Sequence, residues 1–328
     1  MARSQLTSVE VCAGAGGQAL GLEWAGFQHL ACVEIEPIAC ETLKTNRPGW
    51  NVINGDLRRL VANRELTPFA GCDLLAGGVP CPPFSVAGKQ LGAADERDLF
   101  PTMLDLVEQL TPRAVMIENV RGILAERFAH YRAQIARRLR LAGYGRAEWR
   151  LLQAADFGVP QLRPRAILVA LRDDIEGEFT WPGSEDHVPA PTVGEALADL
   201  MAEGGWPHAD AWAAKADRIA PTLVGGSKKH GGPDLGPTRA KREWDALGCS
   251  GMGIADEPPG PDTPANHKPR LTIPMVARLQ GFPDSWAFAG RKTAQYRQIG
   301  NAFPPPVAAA VGRRVASALT AEALCAAA

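Results

Sequence analysis

The sequence predicts a doubly wound α/β domain followed by a smaller, irregular one. Three observations carry this reading. Short apolar runs alternate with helical-period runs over about the first 170 residues, a glycine-rich turn joins the first strand-like run to the first helix, and the alternation stops near Asp173. SVEVCAG reads as a strand, GGQALGLEWAGF as a helix, HLACVEIE as a strand and PIACETLKTN as a helix. A third strand precedes NGDLRRL, and CDLLAGG is the next buried strand. RDLFPTMLDLVEQL is helical, RAVMIENV is a buried strand, YRAQIARRLRLAGYGR is an Arg-rich helix, and WRLLQA and AILVAL close the sheet. Residues 173–270 are rich in Pro, Gly and isolated Trp and lack sustained periodicity. The helical pattern returns in PPPVAAAVGRRVASALTAEAL, which is expected to pack back on the first domain. The expected division is therefore residues 1–172, completed by 292–328, and a second domain over 173–291.

The 328 residues, 46% hydrophobic and 22% charged, describe an ordinary folded chain and exclude a disordered or fibrous one. No apolar run approaches the roughly 18 residues of a membrane span, and MARSQLTSVEVCAGAGG has no signal-peptide layout. A soluble, cytoplasmic protein is expected. The seven cysteines include no CxxC and no Cys/His pairing at zinc spacing, so neither a disulfide framework nor a metal site is expected.

A net charge of −1 conceals an uneven distribution. Residues 121–172 hold eleven Arg against three acids, and residues 226–242 hold five Lys or Arg against Asp234. Between them, residues 173–203 hold nine acids and no Lys or Arg. The basic stretches are candidate phosphate-binding surfaces or simply solvated faces.

The turn from Gly14 to Gly17 is followed by Glu34 at the tip of the next strand, twenty positions after Gly14. Glycines admit a ligand close to backbone, and an acid in that place accepts hydrogen bonds from ribose hydroxyls. On this motif alone NAD and S-adenosylmethionine both remain open. Asp56, after the third strand, is either an adenine partner or a helix cap. Gly77-Gly78-Val79-Pro80-Cys81-Pro82-Pro83-Phe84-Ser85 follows a buried strand and holds one thiol in a rigid turn at the sheet's carboxyl edge, the setting of a nucleophile. Glu118 and Asn119 end the next strand at the same edge, where a buried carboxyl could donate a proton to a substrate nitrogen. Arg163 and Arg165 in QLRPR add candidate cationic donors.

Together these residues resemble the cytosine-5 DNA methyltransferases: AGAGG, VPCPPFS, ENV, QLRPR and QIGNAFPPPV stand in that family's order between about Val9 and Val311. The resemblance implies an S-adenosylmethionine-dependent methyltransferase fold in which Cys81 attacks carbon 6 of a flipped cytosine. Glu118 then contacts ring nitrogen 3 and the exocyclic amine, and Arg165 helps to orient the base and stabilise its charge. It implies cofactor contacts from Ala13, Gly14, Gly16 and Gly17, from Glu34 and Ile35, from Asp56 and Leu57, and from Asn301. Two positions depart from the pattern. Cys12 stands where Phe is usual, and Pro82 where Gln is common.

The same resemblance makes the second domain a target-recognition region acting on double-stranded DNA. Candidate DNA contacts are Ser85, Lys89, Gln90 and Arg97 after the nucleophile, and Lys228, Lys229 and His230 in the SKKHGG loop. A monomer working in the cytoplasm on nucleoid DNA is implied, with a restriction endonuclease of the same specificity as a possible counterpart. The rival readings are an RNA cytosine methyltransferase of the same fold, an NAD oxidoreductase resting on GAGGQA and Glu34, and a non-catalytic DNA-binding regulator.

Overall fold

The computed structural model describes residues 5–80, 98–225 and 234–325. The chain divides into two compact units: Met1–Leu152 with Pro164–Gly183 and Val307–Ala328, and Gln153–Arg163 with Ser184–Pro306. The limits fall elsewhere than the periodicity placed them. The segment 153–163 joins the second unit, and so does 292–306, because these stretches find their hydrogen-bond partners there, whereas 173–183 stays with the first.

The first unit runs β1 (Thr7–Val11), α1 (Gly17–Trp24), β2 (Gln28–Glu34), α2 (Pro37–Asn46), β3 (Val52–Asn54), α3 (Leu57–Ala62), β4 (Leu74–Gly77), α4 (Phe100–Leu110), β5 (Ala114–Val120), α5 (Ala129–Leu141), β6 (Arg146–Gln153) and β7 (Pro164–Leu171). The strands form one sheet in the order β3-β2-β1-β4-β5-β7-β6. β1 to β5 pair in parallel, and β7 runs antiparallel to β5. Val9, Val11, Leu74, Leu75, Val115 and Ile117 are fully buried, as expected of strands covered on both faces. On one face α4 lays down Phe100, Met103, Leu106, Val107 and Leu110, the apolar stripe that helical spacing dictates. The strand order reverses between β1 and β4, so the carboxyl ends of these neighbours form the crevice where such folds bind ligands.

The second unit holds α6 (Val193–Ala202), α7 (Ala209–Ala213), α8 (Thr238–Ala246), α9 (Ile273–Leu279) and α10 (Lys292–Asn301), with long irregular connections. Its core is built on Leu197, Met201, Trp206, Trp212, Trp244, Met275, Leu279 and Tyr296. Three of the isolated tryptophans of the sequence, Trp206, Trp212 and Trp244, are thus in the core of a domain with little regular structure. A capping box starts α6, where the Thr192 hydroxyl accepts from Glu195 N at 3.2 Å and the Glu195 carboxylate accepts from Thr192 N at 2.7 Å. α11 (Pro305–Cys325) begins at the end of this unit and supplies the last segment of the first. There Arg113, paired with Asp73 at 2.9 Å, donates to the carbonyl of Leu319 and ties α11 to the sheet.

Candidate active site

After β1 the backbone turns through three left-handed residues, Cys12 (φ 52°), Gly14 (φ 53°) and Gly16 (φ 87°). Gly supplies that conformation without strain, and a Cβ built on Gly14 would meet nothing within 4 Å, so the turn faces open space. Glu34, largely buried at the tip of β2, accepts from Gly14 N at 2.7 Å and from Glu36 N at 2.8 Å, one bond on each carboxylate oxygen. A carboxylate has about four acceptor positions, so about two remain, the number a ribose diol uses. Ile35 beside it is 58% exposed. Asp56 caps α3 by accepting from Arg58 N at 2.9 Å, and the Leu57 side chain is buried in the core. The cap reading of Asp56 is therefore observed, and it uses one oxygen of the pair.

The second half of the site lies after β4 and β5. Gly77 is obligatory, since a Cβ there would stand 2.6 Å from the carbonyl oxygen of Val11 and 2.7 Å from its side chain. Asn119 donates to the carbonyl of Val79 at 3.0 Å, and Leu99 N donates to the carbonyl of Pro80 at 3.0 Å. The residues on either side of 81–97 are thus stapled to each other and to the end of β5. Asp98 adds a further tie, accepting from Tyr131 Oη at 2.7 Å.

At this edge Glu118 Oε1 meets Arg165 Nε at 2.7 Å, with both side chains nearly buried. The antiparallel register explains the encounter: β7 starts where β5 ends, Val120 opposite Arg165, so a residue that begins a strand reaches the carboxyl edge of its neighbours. Burial pulls the Arg165 guanidinium below its ordinary range, and Glu118 offsets part of that. Arginine stays protonated all the same. The result is a charged donor and acceptor pair at the edge that also carries Val79 and Pro80.

The C-5 cytosine-specific DNA methylase family model matches residues 6–317 of this chain. The chain belongs to that family. It is similar to the type II methyltransferase M.NaeI of Lentzea aerocolonigenes, 59% identical over 97% of this chain and 76% of that protein. It is also similar to the type II methyltransferase M.NgoMIV of Neisseria gonorrhoeae, 52% identical over 97% and 99%. Among solved structures its fold resembles DNMT2 of Spodoptera frugiperda (TM-score 0.65, 19% identity, 94% and 99% of the two chains). It resembles likewise the methyltransferase EhMeth of Entamoeba histolytica (TM-score 0.66, 16% identity, 98% and 99%). The protein is a DNA cytosine-5-methyltransferase.

Two residues expected at the methylase site stand in the second unit. Arg163 is 1% exposed, and its guanidinium donates to the carbonyls of Leu223 at 2.7 Å, Gly300 at 2.7 Å and Ala302 at 3.0 Å. With Gln161 and Gln280, both fully buried, it ties four segments of that unit together, so the expectation of a base-facing donor gives way to a structural one. The signal missed in QLRPR is that Arg163 precedes the strand whereas Arg165 lies within it. Asn301 ends α10 with its side chain against Gly225, where a Cβ would stand 2.4 Å from Asn301 Oδ1. Cys81, Ser85, Lys89, Gln90 and Arg97 lie outside the described residues, as do Lys228, Lys229 and His230.

The Arg-rich segment is less of a basic surface than its composition indicates. Arg132 donates to the carbonyls of Ile123 and Ala125, Arg138 pairs with Asp105 and Glu108, and Arg172 pairs with Asp174. Arg127 and Arg150 lie over the rings of Phe128 and Trp181. Arg121, Arg137 and Arg140 are exposed.

Sequence reasoning also passed over Glu10, whose carboxyl lies fully buried in the middle of β1. Burial first, and Glu118 second, raise it well above the carboxylate range. Burial likewise pushes up the thiols of Cys12, Cys32, Cys40, Cys72 and Cys249, those of Cys72 and Cys249 to about 12, which leaves them unreactive at neutral pH. Among the described residues no cluster of His, Cys, Asp or Glu could hold a metal ion, and no helix is long and apolar enough to cross a membrane.

Proposed function

We propose that this methylase transfers the methyl group of S-adenosylmethionine to carbon 5 of a cytosine flipped out of a specific short duplex DNA sequence, through a covalent adduct to Cys81. The observation that carries the reading is the Glu118–Arg165 pair, held at the sheet edge from which the stapled Val79–Pro80 stem leads to Cys81. The first turn fits the cofactor. Open space faces Gly14, Glu34 keeps acceptor capacity for ribose hydroxyls, Asp56 keeps one oxygen for the adenine amine, and Ile35 offers an exposed apolar side chain.

When bound, S-adenosylmethionine supplies an electrophilic methyl group. Carbon 5 of cytosine is a poor nucleophile until a thiolate adds to its neighbour. The Cys81 sulfur would form a bond to carbon 6 and drive the electron pair of the 5,6 double bond onto carbon 5, which would take the methyl group as the methyl–sulfonium bond breaks and its electron pair returns to the cofactor sulfur, leaving S-adenosylhomocysteine. Glu118 accepts from the exocyclic amine with one oxygen and, carrying a proton on the other, donates it to ring nitrogen 3 as the thiolate adds, while Arg165 holds Glu118 in place and orients the base. A base then removes the carbon 5 proton, the sulfur–carbon bond breaks, and the double bond and the free thiolate return together.

Flipping costs a few kcal/mol, which phosphate contacts from basic side chains offset. Ser85, Lys89, Gln90 and Arg97, with Lys228, Lys229 and His230, are the proposed DNA contacts. The second unit, whose irregular connections suit base-edge readout, is the proposed target-recognition region. The likeness to two type II methyltransferases supports a modification enzyme of a restriction-modification system; a monomer that acts without a stable complex with its cognate endonuclease completes the proposal.

The test is base-resolution sequencing for 5-methylcytosine in plasmid from a methylation-free bacterium expressing the protein, with Cys81→Ala as control. Methylation at one short motif, absent with the variant, is the expected result. Unmethylated DNA from a folded, cofactor-binding protein overturns the reading and turns attention to RNA substrates.

A further inference from the structure

A buried hydrogen-bonded relay behind the cofactor turn has no part in the chemistry above. His29, 8% exposed on β2, has Nδ1 2.8 Å from the hydroxyl of Ser8, which is 0% exposed on β1. Its Nε2 lies 2.9 Å from the carbonyl oxygen of Ala19 on α1. A carbonyl only accepts, so Nε2 carries the proton, and Nδ1 in turn accepts from the Ser8 hydroxyl. The edge of Trp50 packs on the ring with centroids 4.6 Å apart. The neutral, single-tautomer imidazole therefore joins the first two strands to the helix that follows the Gly14–Gly17 turn.

The relay sits on an irregularity of the sheet. Ser8 pairs with His29 but Val9 pairs with Ala31, so β2 carries one extra residue at Leu30 before regular pairing resumes with Glu10 opposite Cys32 and Val11 opposite Val33. Side chains alternate along a strand, so a shift of one residue moves every one of them to the opposite face. With the extra residue in place, Glu34 ends β2 where its carboxylate accepts from Gly14 N.

We propose that His29 is a positioning residue that locks this register and so delivers Glu34 to the cofactor turn; the inference rests on the reading of Glu34 as the ribose-binding acid. Ser8 and His29 are the last pair before the slip, so their bond fixes the register at its origin, and the bond to Ala19 ties that pair to α1 so that β2 cannot slide along β1 without displacing the helix.

The test measures binding of S-adenosylmethionine to the full-length protein by calorimetry, together with thermal stability and KM for the cofactor. The variants are His29→Phe, His29→Gln, Ser8→Ala and Glu34→Gln. His29→Phe keeps the ring against Trp50 and removes both hydrogen bonds. It should raise Kd about tenfold, the loss of a hydrogen bond to a correctly placed charged group, and KM by the same factor. His29→Gln, which can both accept and donate, should recover part of the affinity. Kd within twofold of wild type for His29→Phe, whatever its melting temperature, overturns the proposal. Should that variant not fold, Ser8→Ala decides in its place, with Kd raised about threefold or more expected and an unchanged Kd overturning. Glu34→Gln separates the two claims. If it leaves Kd unchanged, the ribose reading of Glu34 fails and the proposal with it; if it weakens binding and His29→Phe does not, only the register lock fails.

Discussion

Replacing Arg165 by Met tests whether the Glu118–Arg165 pair is a functional device or a stabilising one. The guanidinium lies 2.7 Å from the Glu118 carboxylate, and the two side chains are 12% and 14% exposed. Removing one partner of a buried pair costs about 3–5 kcal/mol, and the residual exposure argues for the lower end, about 3 kcal/mol. In a folding unit of this size each kcal/mol lowers the melting temperature by about 2–4 °C, so Arg165→Met should lose about 6–12 °C. Burial outweighs Glu118 in setting the Arg165 pKa, which means desolvation is not fully offset by the pair. The double variant Arg165→Met, Glu118→Leu, with apolar groups in both places, should therefore recover most of that loss. Differential scanning calorimetry of the wild type, both single variants and the double variant gives the stability cycle, and 5-methylcytosine sequencing gives the activity, which all three variants should lack. A double variant whose loss equals the sum of the single losses would refute the reasoning, as would an Arg165→Met protein melting within about 1 °C of wild type.

Glu10→Gln should stabilise the protein near neutral pH. A buried carboxyl whose folded pKa is raised weakens the native state as pH climbs above the unfolded value of about 4.3, so the gain seen by calorimetry at pH 7.5 should vanish at pH 4. Gly77→Ala should cost about 1–3 kcal/mol because its Cβ would overlap Val11. Gly78→Ala, whose Cβ would stand 3.1 Å from Glu118 Oε2, should cost less stability and lower kcat in a methyl-transfer assay. His29, held neutral by burial against the pull of the Ala19 carbonyl and of Glu23, should make stability fall as pH drops below about 6.5, the unfolded value, towards its lower folded value. A thermal scan series from pH 7.5 to 5.5 should show this fall reduced in His29→Phe.

Much of the architecture was legible in the chain because its information is local. The apolar runs of β1, β2, β4, β5 and β7 are short, buried on both faces and separated by helical periods, so periodicity alone locates them. The placement of Gly14, Glu34, Gly77 and Glu118 at strand ends followed from the same pattern, since parallel strands bring their carboxyl ends to one edge. Family membership was legible too, because VPCPPFS, ENV and QLRPR are contiguous motifs.

What only the tertiary structure decided concerns partners far apart in sequence. Arg163 and Arg165 are two residues apart and chemically identical, yet one is spent on the carbonyls of Leu223, Gly300 and Ala302 and the other on Glu118. The arginines of α5 and its neighbours looked like a basic surface until acids and carbonyls across the fold claimed several of them. The limits of the second unit were hidden because tryptophan burial and polar ties, rather than periodic elements, build it. Which strands and turns can form depends on neighbours along the chain, and the amino-acid order alone determines that. Which charge meets which, and which histidine locks a register, depends on distances that exist only after folding.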